Sequence, residues 1–362
     1  MNSQQAPNAP RVMKESKNKI RVEFERKPLL ERLKSKYLTL NFLKDVVFKI
    51  FRLVLLVGIS YVILFPFFAK ISGSFMGRED FVDVTVKLIP KYPTLDTYAA
   101  IISQNRYFEA LFNTFTLSVL CGLIQTFMCC VIGYGLAKFK FKGNKLIFFL
   151  VIFTMIVPHR TLQLSMFMKF RYFDITADIF GILDFITDDL LGWFNFPGIF
   201  QLITGESHNL NNSYWPLALL SIGGLAFKNG LYIFMMRQFF RGVPDELEES
   251  AYIDGSGVFR TFLTIILPLS VPMMITIFLF AFSWQWTDNF YTTVFFTKSK
   301  MLMMPDIIAI PKTLDTQYAA QNLDESAIKN TCGLLILAPL LVMYVFLQRY
   351  LIGGIERSGI VG

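Results

Sequence analysis

Charged residues are scarce in this chain. Asp, Glu, Lys and Arg make up 17% of its 362 residues, against about 25% in soluble domains. There are only two histidines and four cysteines. So little polar surface cannot cover a soluble particle of this size, which excludes an ordinary cytosolic enzyme. Cys121, Cys129, Cys130 and Cys332 stand inside apolar runs, with no Cys-x-x-Cys pair and no histidine partner beside them. A disulfide scaffold, a redox centre and a metal site therefore lack support, and the four read as small buried apolar residues. His159 and His208 read as loop residues without ligand partners. No Gly-x-x-x-x-Gly-Lys-Ser/Thr occurs, so any nucleotide must be bound elsewhere. What is abundant is apolar: 54% hydrophobic residues, 39 of them Phe and 15 Met, with a mean hydropathy of +0.48.

The apolar residues fall in runs. A helix crossing a bilayer needs about 20 of them, and six stretches qualify: about 48–71, 111–137, 145–163, 216–240, 264–284 and 331–351. The net charge of +8 is concentrated ahead of the first run, from Arg11, Lys14 and Lys17 through Lys44, Lys49 and Arg52. A basic segment ending at an apolar span marks a cytoplasmic N-terminus. It is too long for a cleaved signal peptide of about 15–30 residues. Because it precedes a membrane anchor, it also gives no footing for nucleic acid. Counting spans from there puts the basic turn 138–144, the loop 241–263 and the C-terminus inside as well. Residues 1–47 are then a basic cytoplasmic tail, and 48–362 a six-span, all-α membrane domain with both ends cytoplasmic.

The outer loop 164–215 alternates aromatics with acids (Phe180, Asp184, Phe185, Asp188, Asp189, Trp193). It reads first as a helical cap on the bundle or at the interface, and second as a docking surface. Trp284, Trp286, Asp288, Asn289 and Tyr291 cluster where the fifth span meets the outer face. Rings beside amide and carboxylate groups suit a sugar, although an interfacial aromatic belt has the same composition. Lys228 stands inside the fourth run, at Phe227-Lys228-Asn229-Gly230. An ionisable group at membrane depth faces a polar cavity or a partner acid, or else marks a break through which it reaches water.

The most specific stretch is 241–268. Pro244 suits a helix's first turn, with Asp245, Glu246, Glu248 and Glu249 at its positive end. Leu247, Ala251 and Tyr252 share its face, Gly255 and Gly257 end it, and a second helix runs from Val258 into the membrane. The small Ser250 and Ala251 would let another surface come close.

This loop resembles the signature of ABC importer permeases: Glu-Ala-Ala, three residues, Gly, nine residues, Ile-x-Leu-Pro. Here it reads Glu249-Ser250-Ala251, then Gly255, then Ile265-Ile266-Leu267-Pro268, with Ser250 the single departure. Leu64-Phe65-Pro66-Phe67, Tyr134 through Gly143, Phe234 through Phe240, Trp286 through Phe290 and Gln348-Arg349-Tyr350 are similar to the carbohydrate-uptake branch, specifically its shorter maltose-type subunit. The resemblance covers about 48–362. It implies a type I importer permease fold in which 241–268 is the coupling segment seated on an ATPase. It further implies a second permease, two ATPase subunits holding ATP and magnesium, an external solute-binding protein and a carbohydrate substrate in the cell membrane. The chain itself would bind no cofactor and catalyse nothing. The competing readings are a permease for another solute, a self-powered secondary transporter, and a membrane-embedded glycosyltransferase-like enzyme using Asp188-Asp189.

Overall fold

A computed structural model describes residues 12–15, 21–24, 40–173, 209–296, 301–315 and 320–359. Among these the chain is helical apart from one antiparallel hairpin, β1 (Val12–Glu15) with β2 (Arg21–Phe24), in register Val12 to Phe24. Two compact units divide at Lys70 and Ile71. The first holds the hairpin and most of helix α1 (Leu40–Gly73), whose apolar side chains are exposed along its length, such as Phe48 at 67% and Leu64 at 49%.

The second unit begins with α2 (Arg78–Val82) and α3 (Asp96–Gln104). Asp80, buried, accepts the amides of Lys91 and Tyr92 at 3.3 and 3.2 Å and so folds the segment between them. The central helix is α4 (Tyr107–Lys138), followed by α5 (Asn144–Ile156) and, beyond Pro158 and a 3-10 turn, α6 (Gln163–Arg171). Next come α7 (Trp215–Ile222), α8 (Asn229–Arg241), α9 (Glu246–Ile253) and α10 (Val258–Thr261). A π-helical turn leads into α11 (Leu267–Trp286), then α12 (Phe290–Phe295) and α13 (Gln321–Gly359).

Helix α4 packs against α7, α8 and α11, and α11 packs in turn on α13. Their shared core joins Cys129, Cys130 and Tyr134 to Tyr232, Met236 and Phe240, and to Met273 and Ile277. All four cysteines are buried and unpaired in disulfides. Lipid offers no hydrophobic drive between helices, so close backbone approach must supply the contact. Gly133 provides it: a Cβ there would stand 2.5 Å from the Met236 Cβ and 3.1 Å from the Arg237 amide nitrogen.

Among the described residues four helices are long and apolar enough to cross a membrane: Lys44–Gly73, Tyr107–Lys138, Val258–Trp286 and Gln321–Arg349. The run expected at 145–163 is instead a bent pair, turning 92° after Ile156. The run expected at 216–240 is not one helix. It breaks after Ile222, where Gly224 (φ +68°) and Lys228 (φ +66°) take left-handed backbone, and resumes at Asn229. Hydropathy could not register this, because Gly, Leu and Ala keep the window apolar while the backbone turns. Residues 174–208, which hold the acids and aromatics of the outer loop along with Asp188-Asp189 and His208, lie outside the described residues.

Replacing Gly133 by Leu forces α4 away from the α8 backbone, at about 1–3 kcal/mol. The expected result is a thermal unfolding midpoint several degrees lower in detergent, while Gly135→Leu, whose Cβ would meet open space, leaves it unchanged.

Candidate functional site

The signature loop is fastened by charge. Helix α9 carries Asp245 at its N-cap and Glu246, Glu248 and Glu249 in its first turn, where the helix dipole favours anions. Pro244 lies just ahead of that N-cap rather than in the first turn. The inward face is made by Glu248 and Ala251, both buried. Leu247 and Tyr252, expected to share a face with Ala251, are 40% and 38% exposed. The difference follows from a buried cation. The side chain of Lys138, the last residue of α4, is 8% exposed; its Nζ donates to the Val243 carbonyl at 2.7 Å, pairs with Asp245 Oδ1 and lies 3.6 Å from Glu248 Oε1. Tyr134 OH, one turn back, donates to Glu248 Oε2 at 3.3 Å. A Lys at the end of an apolar span must find anions or reach water, and the loop supplies the anions.

The hydrogen bond from Lys138, with its positive charge, holds the Asp245 carboxyl below the usual carboxylate range. A carboxylate depressed in this way contributes above its unfolded pKa and loses that contribution only as pH falls through the lower folded value. The clasp therefore persists through mild acidification.

Gly255 ends α9 at φ +81°, with Ser256 N donating to Ala251 O at 2.9 Å. A Cβ there would meet open space, so glycine is needed for the backbone turn. Ser250 Oγ donates to Leu247 O at 3.1 Å within its own helix, and so its replacement of Ala leaves the fold unaffected. Farther on, Pro268 lacks an amide hydrogen and would crowd the carbonyl four residues back. The π turn Phe262–Ile266 opens the helix at that point. Ile265 and Leu267 pack half-buried against the core around fully buried Ile266. The outward surface is different: Glu249 and Ser250 are exposed, and so are the apolar Ile253 (86%), Phe259 (74%) and Val258 (46%). Apolar groups left uncovered on an otherwise acidic loop mark a contact surface.

The second group of candidates is only partly brought together. The Lys228 ammonium lies 5.0 Å from the ring centres of both Phe227 and Trp284, a cation–π arrangement, and Trp284 is 46% exposed. Lys228 is thus at a break between helices, not within one. Beside it, His159 Nδ1 meets Tyr291 OH at 3.3 Å, and its ring packs on Phe227. His159 is therefore part of this cluster, which its loop position alone did not signal. A cavity of about 120 Å³ is lined here by Lys228, Asn229, His159 and Thr154. Trp286 does not belong to the group: it is fully buried, its indole N–H donates to Ile336 O at 2.9 Å, and its ring stacks on Phe282. It is core and cannot offer a face to a solute. Asp288 Oδ2 accepts the Thr292 amide at 3.0 Å, capping α12, and burial pushes its carboxyl up to about 6. Asn289 remains exposed. Among the described residues no group of His, Cys, Asp and Glu could hold a metal ion.

A bundle with several membrane-length helices and a helix–turn–helix clamped to the end of one of them has the form of a membrane transport subunit. The chain belongs to the family of binding-protein-dependent transport system inner membrane components, which matches residues 130–357. It is 26% identical over 324 residues to protein LplC of Bacillus subtilis, covering 87% of this chain and 95% of that one. It is 25% identical to the galactooligosaccharides transport system permease protein GanQ of the same organism, over 86% and 95%. In fold it is similar to a bacterial ABC transporter involved in the import of the acidic polysaccharide alginate, with a TM-score of 0.60, 18% identity, and coverage of 85% and 97%. The chain is a multi-pass permease subunit of the cytoplasmic membrane, not an enzyme, and its family works with ATPase, permease and binding-protein partners.

Lys138→Met leaves Glu248 buried without its cation, a loss of about 3–5 kcal/mol. The expected outcome is faster proteolysis at the 241–263 loop, partly reversed in the double variant Lys138→Met/Glu248→Gln. Additive losses in that cycle would show the two groups to be uncoupled.

Proposed function

We propose that this chain is one of two permeases of an ATP-driven importer of a sugar or oligosaccharide. The family match, together with a relative named for galactooligosaccharides, supports the solute class. Residues 1–47 and the C-terminus are cytoplasmic, as is the coupling segment 241–268. A second permease closes the pathway, two ATPase subunits hold ATP and magnesium, and an external binding protein delivers the sugar.

The observation that carries this reading is the two-sided loop: an inner face locked to α4 by Lys138, and an outer face where Ile253 and Phe259 stand uncovered. An ATPase seated on that outer face and moved by ATP pushes α9. The clasp transmits the push to α4, and α4 carries it into the α8 and α11 packing. Because the ATPase pair binds the two states of the bundle with different affinity, nucleotide shifts the population between them.

Affinity purification of the tagged chain from mild detergent tests this. Wild type is expected to retain an ATPase and a second permease, and Ile253→Asp or Phe259→Asp to lose the ATPase alone. These exposed positions separate docking from folding better than Gly255→Asp, which also strains a left-handed turn. Purification of the chain alone in every case would overturn the reading.

Lys228, with Trp284 beside it, lines the solute pathway in this proposal, while Asp288 and Asn289 stand at its outer rim. Lys228→Leu should raise the KM for uptake or alter the range of sugars taken while ATPase retention stays unchanged. Normal uptake with an unchanged range removes Lys228 from the path.

A further inference from the structure

At the end of the bundle that carries α9, the turn between α4 and α5 and the last turn of α8 border an open cleft of about 780 Å³. Its walls hold five cations, Lys140, Lys142, Lys145, Arg237 and Arg241, and no carboxylate. Among the described residues Lys140, Lys142, Lys145 and Arg241 form no ion pair, in contrast to Lys138 a few residues earlier. Arg237 is held in place, its guanidinium 3.8 Å from the Phe148 ring centre and its Nε donating to Leu136 O at 3.3 Å. Only Lys140 has a carboxylate within electrostatic reach, Asp245 outside the cleft; clustering the remaining like charges without counter-charge is unfavourable, so the arrangement calls for an anion.

Two further features fix the kind of anion. The cleft opens directly beyond the last residue of an apolar span, and Phe139 and Phe141, 43% and 44% exposed, alternate with its lysines. Basic residues interleaved with aromatics at that depth suit the headgroup layer. Helix α5, which starts at the cleft, has no buried residue and no acid in its first turn, and it presents apolar side chains such as Leu146 (62%) and Phe149 (61%). A ligand with a phosphate in the cleft would have its hydrocarbon beside α5.

We propose that this cleft binds the phosphate headgroup of an anionic phospholipid of the surrounding bilayer, with the acyl chains lying along α5. The site is separate from the ATPase-facing surface of α9 and does not depend on which solute is carried.

The test is native mass spectrometry of the transport complex, carrying the full chain, in detergent with phosphatidylglycerol, phosphatidylcholine or inorganic phosphate. The expected result is retention of phosphatidylglycerol over phosphatidylcholine. Lys142→Gln/Lys145→Gln should weaken retention by roughly tenfold or more, as expected for two basic groups at a membrane surface. Lys142→Arg/Lys145→Arg should keep it, which separates loss of charge from misfolding. Lys87→Gln/Lys312→Gln, removing the same charge from other exposed positions, should leave it unchanged. The proposal is overturned if both lipids bind alike, if the two glutamine pairs behave alike, or if inorganic phosphate displaces the lipid at millimolar concentration, which would make this a soluble-anion site. It is overturned equally if the Lys142/Lys145 glutamine pair loses the ATPase while keeping the lipid, which would make the cleft a protein contact.

Discussion

An ammonium group at the end of an apolar helix has two options, to climb into water or to take anions with it. Lys138 takes the second. The Val243 carbonyl, Asp245 and Glu248 all come to it from the loop after α8, and Tyr134, one helical turn away, fills a remaining lone pair of Glu248. Removing either side would strand a buried charge, so the loop and α4 behave as one body. Because α4 is also the helix on which α7, α8 and α11 pack, a displacement of α9 cannot be absorbed locally. Packed interiors deform little, and the displacement must reappear as movement of the bundle. In this sense the coupling proposed for the loop depends on one buried lysine more than on the signature residues themselves.

Elsewhere the bundle departs from regular helix where the surroundings permit it. Irregular backbone at membrane depth survives only where protein covers it or it lines a cavity. The break between α7 and α8 meets that condition, with the Lys228 ammonium over two rings and a small cavity of mixed polar and apolar lining beside it. Asn229, at the start of α8, is buried with both amide atoms lacking a partner among the described residues. Left-handed backbone and unsatisfied polar groups both raise the free energy of a segment, and they concentrate where a protein rearranges or binds. The π turn ahead of Pro268 is different in kind. It relieves a steric conflict set by sequence, and its neighbours Ile265 and Leu267 pack into the core. The signature motif thus combines two tasks: its Glu–Gly half shapes a surface, and its Ile–Leu–Pro half anchors that surface to a span.

The apolar runs were legible from the sequence because burial in lipid requires length and hydropathy, and these are local properties. The helix–turn–helix at 244–258 was legible for a similar reason, since Asp245, the glutamates after it and Gly255 state its ends in the local code. Three features were not, or only in part. The break at Gly223–Lys228 was offered by Lys228 as one of two readings, and backbone angles that leave hydropathy unchanged decided for it. The burial of Trp286 is decided by Ile336, fifty residues away, whose carbonyl receives the indole N–H. Lys138 read as one member of a basic turn, because its partners lie more than a hundred residues on. In the last two cases a long-range partner decided what composition alone left open. The Glu248/Ala251 face shows the same effect: periodicity pointed to a face of Leu247, Ala251 and Tyr252, and a buried cation turned Glu248 and Ala251 inward instead.

Lys138 and Lys140 are two residues apart, yet they have different physical roles. Lys138 still belongs to α4 and is covered by the loop, so its charge is compensated within the chain. Lys140, Lys142 and Lys145 follow after the helix has ended; Asp245 feels the charge of Lys140, but no carboxylate lines the cleft these lysines share, and most of their charge is left to be compensated from outside. A basic turn that served topology alone would need charge at the membrane surface but no shaped cleft, since orientation depends on the number and side of the cations. Here the turn folds back against Arg237 and Arg241 of α8, with Asn144 Nδ2 donating to the Phe139 carbonyl at 2.9 Å to fix it. That fixed shape is what distinguishes a binding site from a diffuse positive rim.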